Sequence, residues 1–245
     1  MPAVSMTVTA ELSTLLGLRS GFNEGRGGER VSMTHLAIKA VGKALRRYPA
    51  FYSAFHENRL CPAESLRVNL PVAEGRHVEY VVVDSPESKS VLAIASEVRE
   101  EVARIREGRG RFFSGMRRAA MAPRLAWRLA EARKSSYLRR YNEWYGNFPI
   151  TNFGSFGAES GVPALASPAV AALCLGRVSE GPRAAMKLTL AFDHRCADGA
   201  EAGGLLCAIK AELEERAGAL FECKSAPADL GTEPQCVMGT QASMS

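Results

Sequence analysis

Apolar and polar positions along the chain sort into short alternating runs and longer runs at three- and four-residue spacing. Residues 6–12 alternate as a strand does, beginning almost at the N-terminus. Thr34 is placed to cap a helix over 34–47, with Leu36, Ile38, Val41 and Leu45 as its apolar face, and Pro49 ends it. Residues 51–60 read as a strand reaching into a turn, and 66–73 and 78–83 as two more strands. The second carries the β-branched run Val81-Val82-Val83 before the turn at Asp84-Ser85-Pro86. Ser90 to Arg106 is helical, with Val91, Ile94, Val98, Val102 and Ile105 on one side. From Phe148 the character changes, with glycines and small residues leading to strands over Val170–Leu175 and Met186–Phe192 and a last helix over 199–216. The polar, aperiodic residues 224–245 are expected to be a disordered tail. Neither a repeat nor a flexible linker interrupts 6–220, so the expectation is one α/β domain with a mixed sheet.

Charge changes this picture in one place. The 245 residues carry 31 Lys+Arg against 26 Asp+Glu, a net +5, yet Arg104–Arg140 alone holds twelve Lys/Arg and two Glu. The rest of the chain is therefore about −5, and the basicity belongs to a segment over 109–146 that is expected to be helical in parts and broken at Pro123. Arg124 and Arg128 flank a stripe of Leu125, Leu129 and Ala132. Three readings of this segment stand: a helical hairpin with solvated arginines, peripheral contact of 117–140 with an anionic membrane surface, and attraction of anionic substrate phosphates. A nucleic-acid partner is not expected, since no binding module accompanies the charge. No apolar run reaches the roughly 18 residues of a membrane span, and Met1 is not followed by a signal-peptide pattern. The six Cys lack any C-x-x-C pair and, with four scattered His, suggest no metal site. Reduced thiols in a cytoplasmic protein are the expectation.

Chemistry concentrates in Asp193-His194-Arg195-Cys196-Ala197-Asp198-Gly199-Ala200, where an alternating strand delivers a histidine to its end. A base placed there is held by the scaffold yet stays accessible. Taken alone, His-x-x-x-Asp is more often a structural pair at a turn. The surrounding sequence favours the first reading. This stretch closely resembles the D-H-R-x-x-D-G-A motif of the dihydrolipoamide acyltransferases, the catalytic core subunits of 2-oxo acid dehydrogenase complexes and relatives of chloramphenicol acetyltransferase. Two more segments carry the resemblance: Pro149-Ile-Thr-Asn-Phe-Gly-Ser-Phe-Gly157, and the strand from Ser167-Pro168 to Gly176.

The resemblance implies a chloramphenicol-acetyltransferase-like fold, a homotrimer with sites between subunits, and coenzyme A or acyl-CoA as substrate. It makes His194 the general base, Thr151 the hydroxyl donor to the tetrahedral oxyanion, and Asp198 the organiser of the loop. Acyl transfer needs one such acceptor and one such donor. Cys196 is not expected to be a nucleophile. The family usually has Ser where Thr151 stands; Thr keeps the hydroxyl with a stiffer χ1. The family's N-terminal helix is not seen before the first strand, and no lipoyl attachment site is seen on this chain. The expectation is thus an acyltransferase passing an acyl group to a dihydrolipoamide-like thiol or another small or carrier-borne acceptor. The alternative is a non-catalytic trimeric scaffold derived from the same family.

Overall fold

A computed structural model of the chain describes residues 2–75, 77–110, 134–181 and 183–222. The tail 224–245 and residues 111–133 of the basic segment lie outside the described residues. The framework is a six-stranded mixed sheet in the order β1-β8-β7-β6-β4-β5. Its strands are β1 (Ala3–Glu11), β4 (Arg67–Glu74), β5 (His77–Asp84), β6 (Phe148–Asn152), β7 (Ala171–Leu175) and β8 (Ala185–Asp193). β6 runs parallel to both β4 and β7, and the other pairings are antiparallel. A separate hairpin joins β2 (Ala54–His56) to β3 (Arg59–Cys61).

Alternation decides which face of the sheet is covered. Leu188, Leu190 and Phe192 of β8, with Leu173 and Leu175 of β7 and Ile150 of β6, all belong to the hydrophobic core. Onto them pack α2 (Met33–Leu45) and a C-terminal helix, α5 (Gly199–Glu214). Nearly every position of α2 is buried because Ala37, Ala40 and Ala44 let its neighbours approach from all sides. Gly42 lies against the turn before α3 (Val91–Arg106), where a Cβ would lie 2.9 Å from Pro86 Cγ and from Glu87 N. The buried Lys39 ties the same turn to α2, its ammonium donating to the carbonyls of Glu87 (2.9 Å) and Lys89 (2.5 Å). Burying an ammonium is tolerable because carbonyl oxygens replace its water.

Several local expectations are corrected. The cap of α2 is Ser32, not Thr34: the Ser32 hydroxyl accepts from the His35 N–H, and His35 Nδ1 accepts from the Ser32 N–H. Burial, then the nearby Arg99 charge, lowers the His35 pKa to about 4, so the ring is neutral and free to accept. A helix over Ser13–Asn23, α1, follows β1 where the sequence reading found no element. Of its residues only Leu15 is fully buried. The single strand expected over 51–60 is a 3-10 turn at Pro49–Tyr52 followed by the β2–β3 hairpin, whose turn puts Glu57 and Asn58 at positive φ.

The C-terminal part of the basic segment is helical: α4 (Lys134–Tyr145) lies against β4 and β5. Tyr145 packs edge-on to Tyr80 with ring centroids 4.4 Å apart, and the Asn69 amide donates to the Tyr145 carbonyl. Burial pushes the Tyr145 phenol up to about 12. The helix stops at Gly146, whose φ of 76° suits glycine, and Asn147 then clamps the start of β6 by accepting from Arg67 N–H and donating to Ser65 O. None of the helices of the described residues is long and apolar enough to cross a membrane.

Candidate active site

β8 ends at Asp193, and the chain turns through His194, Arg195 and Cys196 before α5 begins at Gly199. His194 stays in register for one step beyond the strand, its N–H donating to the Pro2 carbonyl at 3.0 Å, while its side chain is exposed. Asp198 is the N-cap of α5. Its carboxylate accepts from the Glu201 N–H at 2.8 Å, and Glu201 returns a bond to the Asp198 N–H, a capping box at the positive end of the helix dipole. His194 and Asp198 therefore share one turn, the first displayed to solvent and the second occupied with the helix end.

Between them and the strand sits a pair that the sequence reading did not single out. Asp193 is completely buried and its carboxylate takes two bonds from the Arg195 fork, at 2.9 Å from Nε and 2.6 Å from Nη2. These bonds hold the Asp193 carboxyl below the usual carboxylate range. Burial, reinforced by the Asp193 charge, pushes the Cys196 thiol up to about 11, which keeps it protonated near neutrality and unsuited to nucleophilic attack.

Thr151 is half-buried near the end of β6, opposite Cys174 of β7, which is in turn opposite Thr189 of β8. The turn that follows is built on Asn152. Its carbonyl side-chain oxygen accepts from Ser155 N–H, and its amide donates to the Thr34 hydroxyl of α2 at 3.0 Å. Thr34, expected as a cap, is thus the anchor of the β6 exit. Gly154 lies so close to the end of β7 that a Cβ would sit 2.5 Å from the Gly176 carbonyl. The three segments on which the family resemblance rests therefore share one sheet, with the 167–176 segment touching both of the others.

They do not, however, bring Thr151 and His194 together within one chain. His194 lies five residues beyond Thr189, the β8 position level with Thr151. At roughly 3.3 Å per residue and 4.8 Å per strand, the offset is about 16 Å along the sheet and about 10 Å across it, or about 19 Å in all. A base and an oxyanion donor serving one carbonyl must each come within about 3 Å of it. One chain cannot offer both to the same acyl group.

The family model of the 2-oxoacid dehydrogenases acyltransferase catalytic domain matches residues 1–112 and 124–221. The chain is 26% identical over 230 residues to the dihydrolipoyllysine-residue acetyltransferase component of the acetoin cleaving system of Bacillus subtilis, covering 89% of this chain and 51% of that protein. It thus spans about half the length of this curated relative. Its structure is similar to that of a dihydrolipoamide acetyltransferase of Azotobacter vinelandii (TM-score 0.71, 20% identity, 90% of this chain and 84% of the other). It is also similar to chloramphenicol acetyltransferase (TM-score 0.51, 13% identity, 87% of each chain). The fold is therefore chloramphenicol-acetyltransferase-like, and the chain belongs to the acyltransferase catalytic-domain family of the 2-oxoacid dehydrogenases.

Proposed function

We propose that this chain transfers an acyl group directly between coenzyme A and a thiol acceptor of the dihydrolipoamide type, small or carrier-borne. His194 acts as general base, Thr151 as oxyanion donor and Asp198 as organiser of the loop. The observation that carries the reading is the exposed His194 side chain, held at the end of β8, a strand paired on both sides, by the backbone bond to Pro2. In the forward step the His194 imidazole takes the proton of the acceptor thiol as its sulfur attacks the thioester carbonyl of acyl-CoA. The Thr151 hydroxyl donates to the oxygen as it becomes negative. Collapse of the tetrahedral intermediate breaks the bond to the coenzyme A sulfur, which takes the proton back from the imidazolium. The Azotobacter enzyme supports the assignment, since a serine, a histidine and an asparagine four positions after that histidine are named for its catalytic mechanism. His194 and Asp198 have the same spacing.

The offset of about 19 Å between Thr151 and His194 supports a site shared between subunits, with each member coming from a different copy. A three-fold ring satisfies this, because a head-to-tail contact closes on itself and repeats one site at each interface. A homotrimer is therefore part of the proposal, with coenzyme A as substrate and a cytoplasmic setting. The basic segment adds a field that draws anionic acyl-CoA toward the protein. The test is direct: acetyl-CoA and dihydrolipoamide are incubated with the protein and free coenzyme A is followed. Thr151→Ala should lower kcat about 10²–10³-fold and leave KM within a few-fold, with Thr151→Ser near wild type. Equal behaviour of the Ala and Ser variants would show Thr151 to be packing only, and absence of any turnover would leave the scaffold reading standing.

A further inference from the structure

We propose that Arg195 is a positioning residue for His194, acting through the buried carboxylate of Asp193. The proposal rests on the general-base reading of His194. Asp193 and Arg195 flank that histidine, and their side chains close a ring around it. The Asp193 carboxylate accepts from Nε (2.9 and 3.2 Å) and Nη2 (2.6 Å) of Arg195, and also from the Arg195 backbone N–H at 3.1 Å. The Asp193 carbonyl accepts from the Cys196 N–H at 2.9 Å, which completes the turn. With its own N–H held by Pro2, His194 has little backbone freedom left, although its side chain is exposed.

The other end of the clamp is fixed as well. The Arg195 guanidinium stacks over the Phe55 ring at 4.1 Å, which joins the turn to the β2–β3 hairpin. The Phe55 N–H in turn donates to the Pro168 carbonyl at 2.8 Å, just ahead of β7. A planar fork that binds a carboxylate bidentately while stacking on an aromatic face is a task for arginine alone; the lysine ammonium is a point donor on a flexible stem. The Asp193–Arg195 bonds span only two residues and order a single turn, while the Phe55 stack holds that turn against the hairpin. What the clamp fixes is the direction of the His194 side chain. An error of about 1 Å in placing a catalytic group costs on the order of 10²-fold in rate.

The experiment uses the full chain with acetyl-CoA and dihydrolipoamide. Arg195→Lys and Arg195→Gln should lower kcat by about 10- to 100-fold, with KM for either substrate within about twofold and the folded-state circular dichroism retained. Phe55→Leu, which keeps an apolar side chain but removes the ring face, should give a smaller loss in the same direction. A double-mutant cycle separates positioning from any other role: in a His194→Ala background, Arg195→Lys should produce no further loss, because nothing remains to be positioned. Wild-type kcat in a folded Arg195→Lys protein, or a loss of equal size with and without His194, would overturn the proposal. Wild-type turnover in His194→Ala alone would instead sink the general-base reading beneath it, an outcome read without any Arg195 variant.

Discussion

Mixing two crippled variants should restore activity if Thr151 and His194 act from different subunits. The perturbation is a pair of single substitutions, His194→Ala and Thr151→Ala, co-expressed or refolded together in equal amounts. The sheet register sets the expectation, since Thr151 is level with Thr189 while His194 lies five residues further along β8. The resulting offset of about 19 Å is far beyond what two side chains can bridge to one carbonyl. In a ring each site takes Thr151 from one subunit and His194 from its neighbour. Half of the subunits then supply an intact threonine and half an intact histidine, so about a quarter of the sites are whole. Each variant alone should keep about one hundredth of wild-type activity or less. The mixture should therefore reach about 25% of wild type in the coenzyme A release assay against a background near 1%. Activity of the mixture no higher than the mean of its parents would refute the shared site.

Thr34→Val removes the acceptor of the Asn152 amide and should lower kcat by about 3- to 30-fold with KM little changed; unchanged kcat would show that the β6 exit needs no anchor. His35 is held at a pKa of about 4 against 6.5 in the unfolded chain, so the unfolded state takes up the proton first as pH falls. Stability should therefore drop between pH 6.5 and pH 4, by about 2 kcal/mol once screening is allowed for, and the drop should shrink in His35→Gln when followed by urea unfolding. Replacing Arg117, Arg118, Arg124 and Arg128 by Gln should raise KM for acyl-CoA and flatten its dependence on salt. Unchanged kinetics with lost binding to anionic liposomes would assign the segment to a membrane surface instead.

The sheet was legible because β4, β5, β7 and β8 carry β-branched or alternating apolar residues that face one core, and their ends fell within a few residues of those expected. The first helix after β1 was not: Leu15, Leu18 and Phe22 do recur at helical spacing, but Ser13–Asn23 has no capping side chain and holds Gly17 and Gly21, which weaken the signal. The cap of α2 is Ser32 because His35, three residues on, returns the bond from its ring nitrogen, a partnership absent from the usual Glu or Gln pattern. In the candidate site, His194, Asp198 and Thr151 stand out as residue types within their motifs, and the roles proposed for them rest on the family resemblance. The Asp193–Arg195 clamp does not, because a pair two residues apart on a regular strand points to the same face without meeting. Only the turn that begins at His194 lets Arg195 fold back on the buried carboxylate. The Thr34–Asn152 bond joins positions 118 residues apart and has no local signal at all.

His194 is proposed to carry the proton in acyl transfer. That role is tested most directly by comparing wild type with His194→Ala in the release of free coenzyme A from acetyl-CoA and dihydrolipoamide, with the oligomeric state of both measured by light scattering. His194→Ala should lose about 10²–10⁴-fold in kcat, with the same trimer in both proteins. A folded His194→Ala trimer that turns over within about tenfold of wild type would contradict that role.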